Sequence, residues 1–190
     1  VVQSSVNAFG SDAMAGFGAY MKIDGFNILP VLSLSLAMTT FTGQNLGAGK
    51  VERVKKGMRV TLAMGLGYTL ATGALLLAFS APLMRLFTDN AAAVAYGQLA
   101  MRYFCPFYFF LGIMHILAGT VRGAGKSIPP MVIMLVSLCV VRIAWLKLVA
   151  PLYGTIDGVF IAYPITWAVG MGLMVLYSVF GKWLKVRTDY

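Results

Sequence analysis

Long apolar runs alternate with short polar interruptions along this chain. The runs cover about residues 1–9, 13–44, 57–86, 91–121, 128–150 and 159–180. Each run after the first reads as a helix able to cross a hydrocarbon core of roughly 30 Å at about 1.5 Å per residue. The first reads as the last turns of a helix. The interruptions carry helix-ending chemistry. Gly10-Ser11-Asp12 is a short loop in which Ser11 or Asp12 can accept from the free N–H groups of the next helix. Gly47 and Gly49 suit left-handed C-cap conformations, and Gly123-Ala124-Gly125 makes a second glycine stop. Phe87–Asn90 and Pro151–Gly158 read as turns. Pro129-Pro130 suits a first helical turn, and Pro30 predicts a kink. The pattern predicts an all-α polytopic membrane protein.

Composition narrows this further. Hydrophobic residues make up 59% of the 190 and charged ones 11%, against roughly 25% charged in a soluble domain. A single core of this size cannot hide so much apolar surface, so the lipid bilayer is the expected partner. The net charge of +9 then speaks for topology, not for nucleic acid. Lys and Arg number five in 50–59, two in 122–126 and three in 182–187. The alternate loops hold only Asp12, then Arg85 and Asp89, then Asp157. By the positive-inside rule, loops 45–57 and 122–127 and the C-terminal tail are cytoplasmic. That alternation requires five full crossings after the partial first one, so it checks the helix count independently of hydropathy. Residues 1–12 show no basic n-region or cleavage pattern, so no signal peptide is expected there; the chain opens on Val1 in mid-segment and reads as a piece of a longer protein. Cys105 and Cys139 fall in apolar runs and read as small buried hydrophobes, not as a disulfide or zinc pair.

Function is sought among the charges inside the runs: Lys22, Asp24, Arg102, Arg142 and Lys147. A mid-bilayer charge costs about 2.5–3.5 kcal/mol on insertion scales, so such residues face a bundle interior or a watery cavity, or else snorkel. Lys147, near its helix end, reads as snorkelling; Lys22 and Arg102 lie deeper. Lys22 and Asp24 point to nearly opposite sides of one helix and cannot pair. Asp24 is the one acid in any complete span. Its role is open between a structural ion pair, with Arg102, Arg142 or a group outside this chain, and the binding or release of a cation. Asn27 is the one larger polar side chain of the apolar stretch that follows. His115 reads as either a packed histidine or a titratable relay group. Phe104, Phe107, Tyr108, Phe109 and Phe110 cover every face of one helix, and those facing a cavity could hold flat cations.

Other motifs carry less. Gly125-Lys126-Ser127 resembles the end of a phosphate-binding loop, but Thr120 stands where that loop needs glycine, and an apolar helix precedes it in place of a strand. Gly119–Gly123 and Gly154–Gly158 match GxxxG; the first marks a packing point at a helix end, the second reads as loop chemistry. Gly-Ala-Gly-Lys recurs at 47–50 and 123–126, which either marks repeated helix pairs or reuses one kind of stop. With one histidine and one intramembrane acid, no nucleophile–base–acid constellation assembles, so an enzyme is not expected.

Five stretches in order resemble the C-terminal half of a bacterial MATE (multidrug and toxic compound extrusion) transporter: Val2–Gly10, Thr42–Lys50, Arg122–Ser127 with Pro129, Val141–Trp145 and Tyr163–Trp167. The resemblance covers essentially the whole chain. It implies twelve helices in two six-helix lobes, related by an axis along the membrane normal, which rock to alternate access to a central cavity. Residues 1–190 would then be the C-terminal lobe, from the end of the seventh helix through the twelfth, in the cytoplasmic (inner) membrane. The implied partners are small organic cations and the missing N-terminal lobe. The implied coupling ion is sodium or a proton, with no cofactor. One departure matters. Some members carry an acidic coupling residue about eleven positions before the arginine of the Arg-Gly pair, and here that position is Leu111. Others use an aspartate in the N-terminal lobe. No coupling residue is therefore carried over, and Asp24 stands on physical grounds alone. Two alternatives stay open: a lipid-linked oligosaccharide flippase of the same superfamily, with Lys22, Arg102 and Arg142 gripping phosphates, and a non-transporting membrane scaffold.

Overall fold

The computed structural model describes residues 2–184; Val1 and the tail residues Lys185 and Arg187 lie outside the described residues. Helices occupy almost all of it, and no strand occurs among the described residues. A short α1 (Val2–Asn7) leads into α2 (Ser11–Gly47), which is unbroken over 37 residues with Pro30 inside it. Then come α3 (Val51–Ala78) and α4 (Ser80–Arg85), separated at Phe79. Next, α5 (Ala91–Phe104) and α6 (Tyr108–Gly123) are joined by one tight turn, Cys105–Phe107, at Pro106. Proline has no N–H to give the helix ladder, which accounts for the change of pitch there. The fifth span is α7 (Ile128–Leu135), a wider π turn (Val136–Val141) and α8 (Arg142–Leu148). Two short pieces follow, α9 (Ala150–Tyr153) and α10 (Asp157–Phe160), before α11 (Ala162–Phe180).

Five of these stretches are long and apolar enough to cross a membrane: Ser11–Gly47, Val51–Ala78, Ala91–Gly123, Ile128–Leu148 and Asp157–Phe180. The third is the most enclosed, and α6 packs against α2, α3 and α11 at once. Close approach at the α2–α6 seam depends on small residues. A Cβ at Gly119 would collide with the Ser35 carbonyl, and one at Gly123 with the Thr39 carbonyl. With the backbones that near, Ser35 Oγ donates to the His115 carbonyl at 2.6 Å and Thr39 Oγ1 to the Gly119 carbonyl at 3.0 Å. Such contacts replace the hydrophobic drive that is absent between helices in lipid.

Several local expectations change. Neither Ser11 nor Asp12 caps α2, because Gly10 occupies that place without a side-chain bond. Asp12 instead accepts from Asn90 Nδ2 at 2.8 Å, and Asn90 is itself the cap of α5. Gly49 is left-handed as its stop requires (φ +70°), but Gly47 is the last residue of α2. Helix α3 starts at Val51, so the basic residues from Arg53 to Arg59 ride on its first turns and not in a loop. Cys105 is buried, but Cys139 is exposed on the π turn. Gly158 is a packing position and not only loop chemistry: its missing side chain makes room for the Ala150 carbonyl and Tyr153 Cβ, and its carbonyl accepts from Trp145 Nε1 at 2.9 Å.

Candidate functional site

Asp24 lies 13 residues from the start of α2, about 20 Å along the axis. One turn earlier on the same face is Tyr20, and α6 brings Tyr108 alongside. Tyr108 Oη donates to Asp24 Oδ1 at 2.7 Å, Tyr20 Oη donates to the same oxygen at 3.1 Å, and the two phenol oxygens are 2.8 Å apart. Three oxygens thus form a closed triangle. Both tyrosines are sealed from the surroundings at 1–2% exposure, while Asp24 is half-buried. No base reaches Asp24: among the described residues the ion pair formed is Lys55–Glu52, on the surface.

The expected partners of Asp24 go elsewhere. Arg142 stacks its guanidinium 4.1 Å above the Tyr163 ring and donates to Thr166 Oγ1 at 2.7 Å. Lys22 is exposed, with Nζ 5.7 Å from the centre of the Phe87 ring. Arg102 is exposed in a surface groove beside Tyr96 and Gln98. Tyr68 Oη of α3 donates to the backbone carbonyl of Asn27 at 3.0 Å and lies 3.4 Å from its side-chain Oδ1. His115 is half-buried and enters the α2–α6 seam through its backbone carbonyl. The candidate charges are therefore dispersed, and only Asp24 sits in a built polar site.

Aromatic rings wall that site. Phe104 lies 5.0 Å from Tyr20 and 4.5 Å from Tyr163, and Trp167 stacks on Tyr108 at 5.9 Å. The ring contacts run on from Tyr20 and Tyr108 to Tyr163, on which Arg142 stacks. No group of three or more His, Cys, Asp or Glu gathers among the described residues. Sequence reasoning named Tyr108 only as one aromatic of a possible cavity wall, and did not single out Tyr20 or pair either with Asp24. Tyr20 was within reach, since a tyrosine four residues before an acid shares its helix face. Tyr108, 84 positions away, gave no such signal.

Fold and site together define a helical lobe of a polytopic membrane protein, with one acid held by hydroxyls inside it. The MatE family profile matches residues 1–146, and the chain belongs to the MatE family. It is 29% identical over 186 residues to the "Probable multidrug resistance protein YpnP" of Bacillus subtilis strain 168, covering 98% of this chain and 42% of that one. A Thermotoga maritima "Probable multidrug resistance protein NorM" is 29% identical over 134 residues, which cover 70% of this chain and 29% of that protein. The crystal structure of the Vibrio cholerae MATE transporter VcmN in its bent form superposes with a TM-score of 0.85 at 23% identity, over 95% of this chain and 41% of VcmN. The chain thus spans less than half the length of these relatives. It has the fold of one lobe of a MATE-type transporter, with the short α1 followed by five stretches long and apolar enough to cross a membrane.

Proposed function

We propose that the intact protein is a cation-coupled antiporter exporting organic cations across the cytoplasmic membrane, with Asp24 as the coupling group of this lobe. The family supports transport, and the names of its relatives support drugs as cargo. The observation that carries the role of Asp24 is its triangle of oxygens without a base. An acid locked to arginine would hold one charge state; this one is free to exchange its counter-ion. The hydrogen count favours a proton over sodium. With Asp24 ionised, two phenol hydrogens serve three oxygen–oxygen edges; one added proton supplies the third. Sodium takes several oxygen ligands, and both phenol hydrogens would have to turn away from it. The flippase reading needs bases converging on one cavity, whereas Lys22, Arg102 and Arg142 each rest against different partners.

The test is Asp24→Asn in the intact protein, assayed by ethidium-type efflux at several sodium concentrations and pH values. Coupled efflux is expected to fall at least tenfold and to lose its dependence on the coupling ion. Unchanged efflux with unchanged sodium and pH dependence removes Asp24 from the mechanism.

A further inference from the structure

Where the basic first turns of α3 meet the end of α2, the two helices leave a groove of about 540 Å³. Its α3 wall is a single stripe at helical spacing: Arg53, Lys56, Gly57, Val60, Thr61. The stripe is ordered by depth. Both bases lie on the first turns; the whole stripe runs about 12 Å inward from Arg53 to Thr61, and the part beyond the bases, from Gly57 to Thr61, about 6 Å. The facing wall of α2 is Phe41, then Met38 and Ala37. Gly57 shapes the floor, since a Cβ there would strike the Phe41 ring. Both bases are exposed, and neither forms an ion pair among the described residues. The acid next to them, Glu52, is engaged by Lys55 at 2.7 Å.

We infer that this groove binds an anionic phospholipid, the phosphate between Arg53 and Lys56 and one acyl chain along Phe41, Met38 and Val60. A free phosphate would need only the bases, and a neutral lipid only the slot; the ordered stripe suits a molecule with both. Basic pockets between membrane helices on the cytoplasmic side hold anionic headgroups in this way. The leaflet assignment rests on the orientation drawn from the loop charges; the site itself does not.

Native mass spectrometry of the intact, detergent-purified protein titrated with phosphatidylglycerol or phosphatidylcholine of matched chains tests this. Phosphatidylglycerol is expected to bind about 30-fold more tightly, the combined worth of two bases near a membrane surface. Arg53→Gln with Lys56→Gln should bring it to the phosphatidylcholine level, while Lys55→Gln, outside the groove, should leave it unchanged. Val60→Trp, which fills the slot, should weaken binding by itself. Matching melting curves in lipid-free detergent exclude misfolding of the variants. The proposal is overturned by equal binding of the two lipids, by retention by the double variant, or by competition by free glycerol 3-phosphate at lipid-like concentrations. No lipid retained at all, as when the other lobe covers the groove, overturns it too. Binding in detergent does not depend on leaflet, so an error in orientation would leave these outcomes unaltered.

Discussion

At the scale of single residues, the informative contrast is between two ionic side chains of the spans. Asp24 has hydroxyls and no base; Arg142 has a ring and a hydroxyl and no acid. The sequence showed that both were costly and left open whether they paid for each other. They do not: Asp24 is held by Tyr20 and Tyr108, and Arg142 by Tyr163 and Thr166 of α11, partners brought together at long sequence separation. The shorter bond to Asp24 comes from Tyr108, so the two tyrosines should not be equivalent. A hydrogen bond to a charged group is worth about 1.5–3 kcal/mol. Tyr108→Phe should therefore shift the half-maximal concentration of coupling ion for efflux by tenfold or more, and Tyr20→Phe by less. Equal shifts, or none, would show that the triangle is packing and not chemistry.

At the scale of elements, hydropathy placed the spans well and their breaks poorly. A run of apolar residues looks the same whether the helix is straight, broken at Phe79, tightened at Pro106 or widened at Val136–Val141. Pro106 has a chemical cause for its break, a missing donor, from which the sequence reading drew nothing. The start of α3 was misplaced because charge was read as loop, although a charged first turn is ordinary for a helix leaving a membrane. The seam between α2 and α6 was legible in part through Gly119 and Gly123; its hydroxyl partners on α2, Ser35 and Thr39, were not. Gly119→Leu should force the Ser35 carbonyl away and cost about 3 kcal/mol by overpacking. A thermal melt of the intact protein should fall by several degrees, whereas the same change at Gly18, where a Cβ meets nothing, should leave the melt unchanged.

At the scale of the whole molecule, the charge pattern and the fold make one joint prediction about topology. If loops 45–57 and 122–127 are cytoplasmic, Lys55→Cys in the intact protein should react with a membrane-impermeant maleimide only after the cell is opened. Asp157→Cys should react from outside. The reverse pattern would turn the lobe over. Large apolar side chains such as Phe26, Leu36 and Leu135 remain exposed, as surfaces facing lipid or the rest of a longer chain must. The π turn has a consequence for this shape. Such a turn is an α-helix carrying one surplus residue. Helix segments on either side keep the faces they would have if that residue were gone. Elsewhere in a span, losing one residue rotates all that follows by about 100° and dissolves its packing. Here the loss should be absorbed. Deleting exposed Val140 ought to leave expression and efflux near normal, while deleting Met171 from α11 should abolish both. The fifth span would then be able to lose a codon without losing its register.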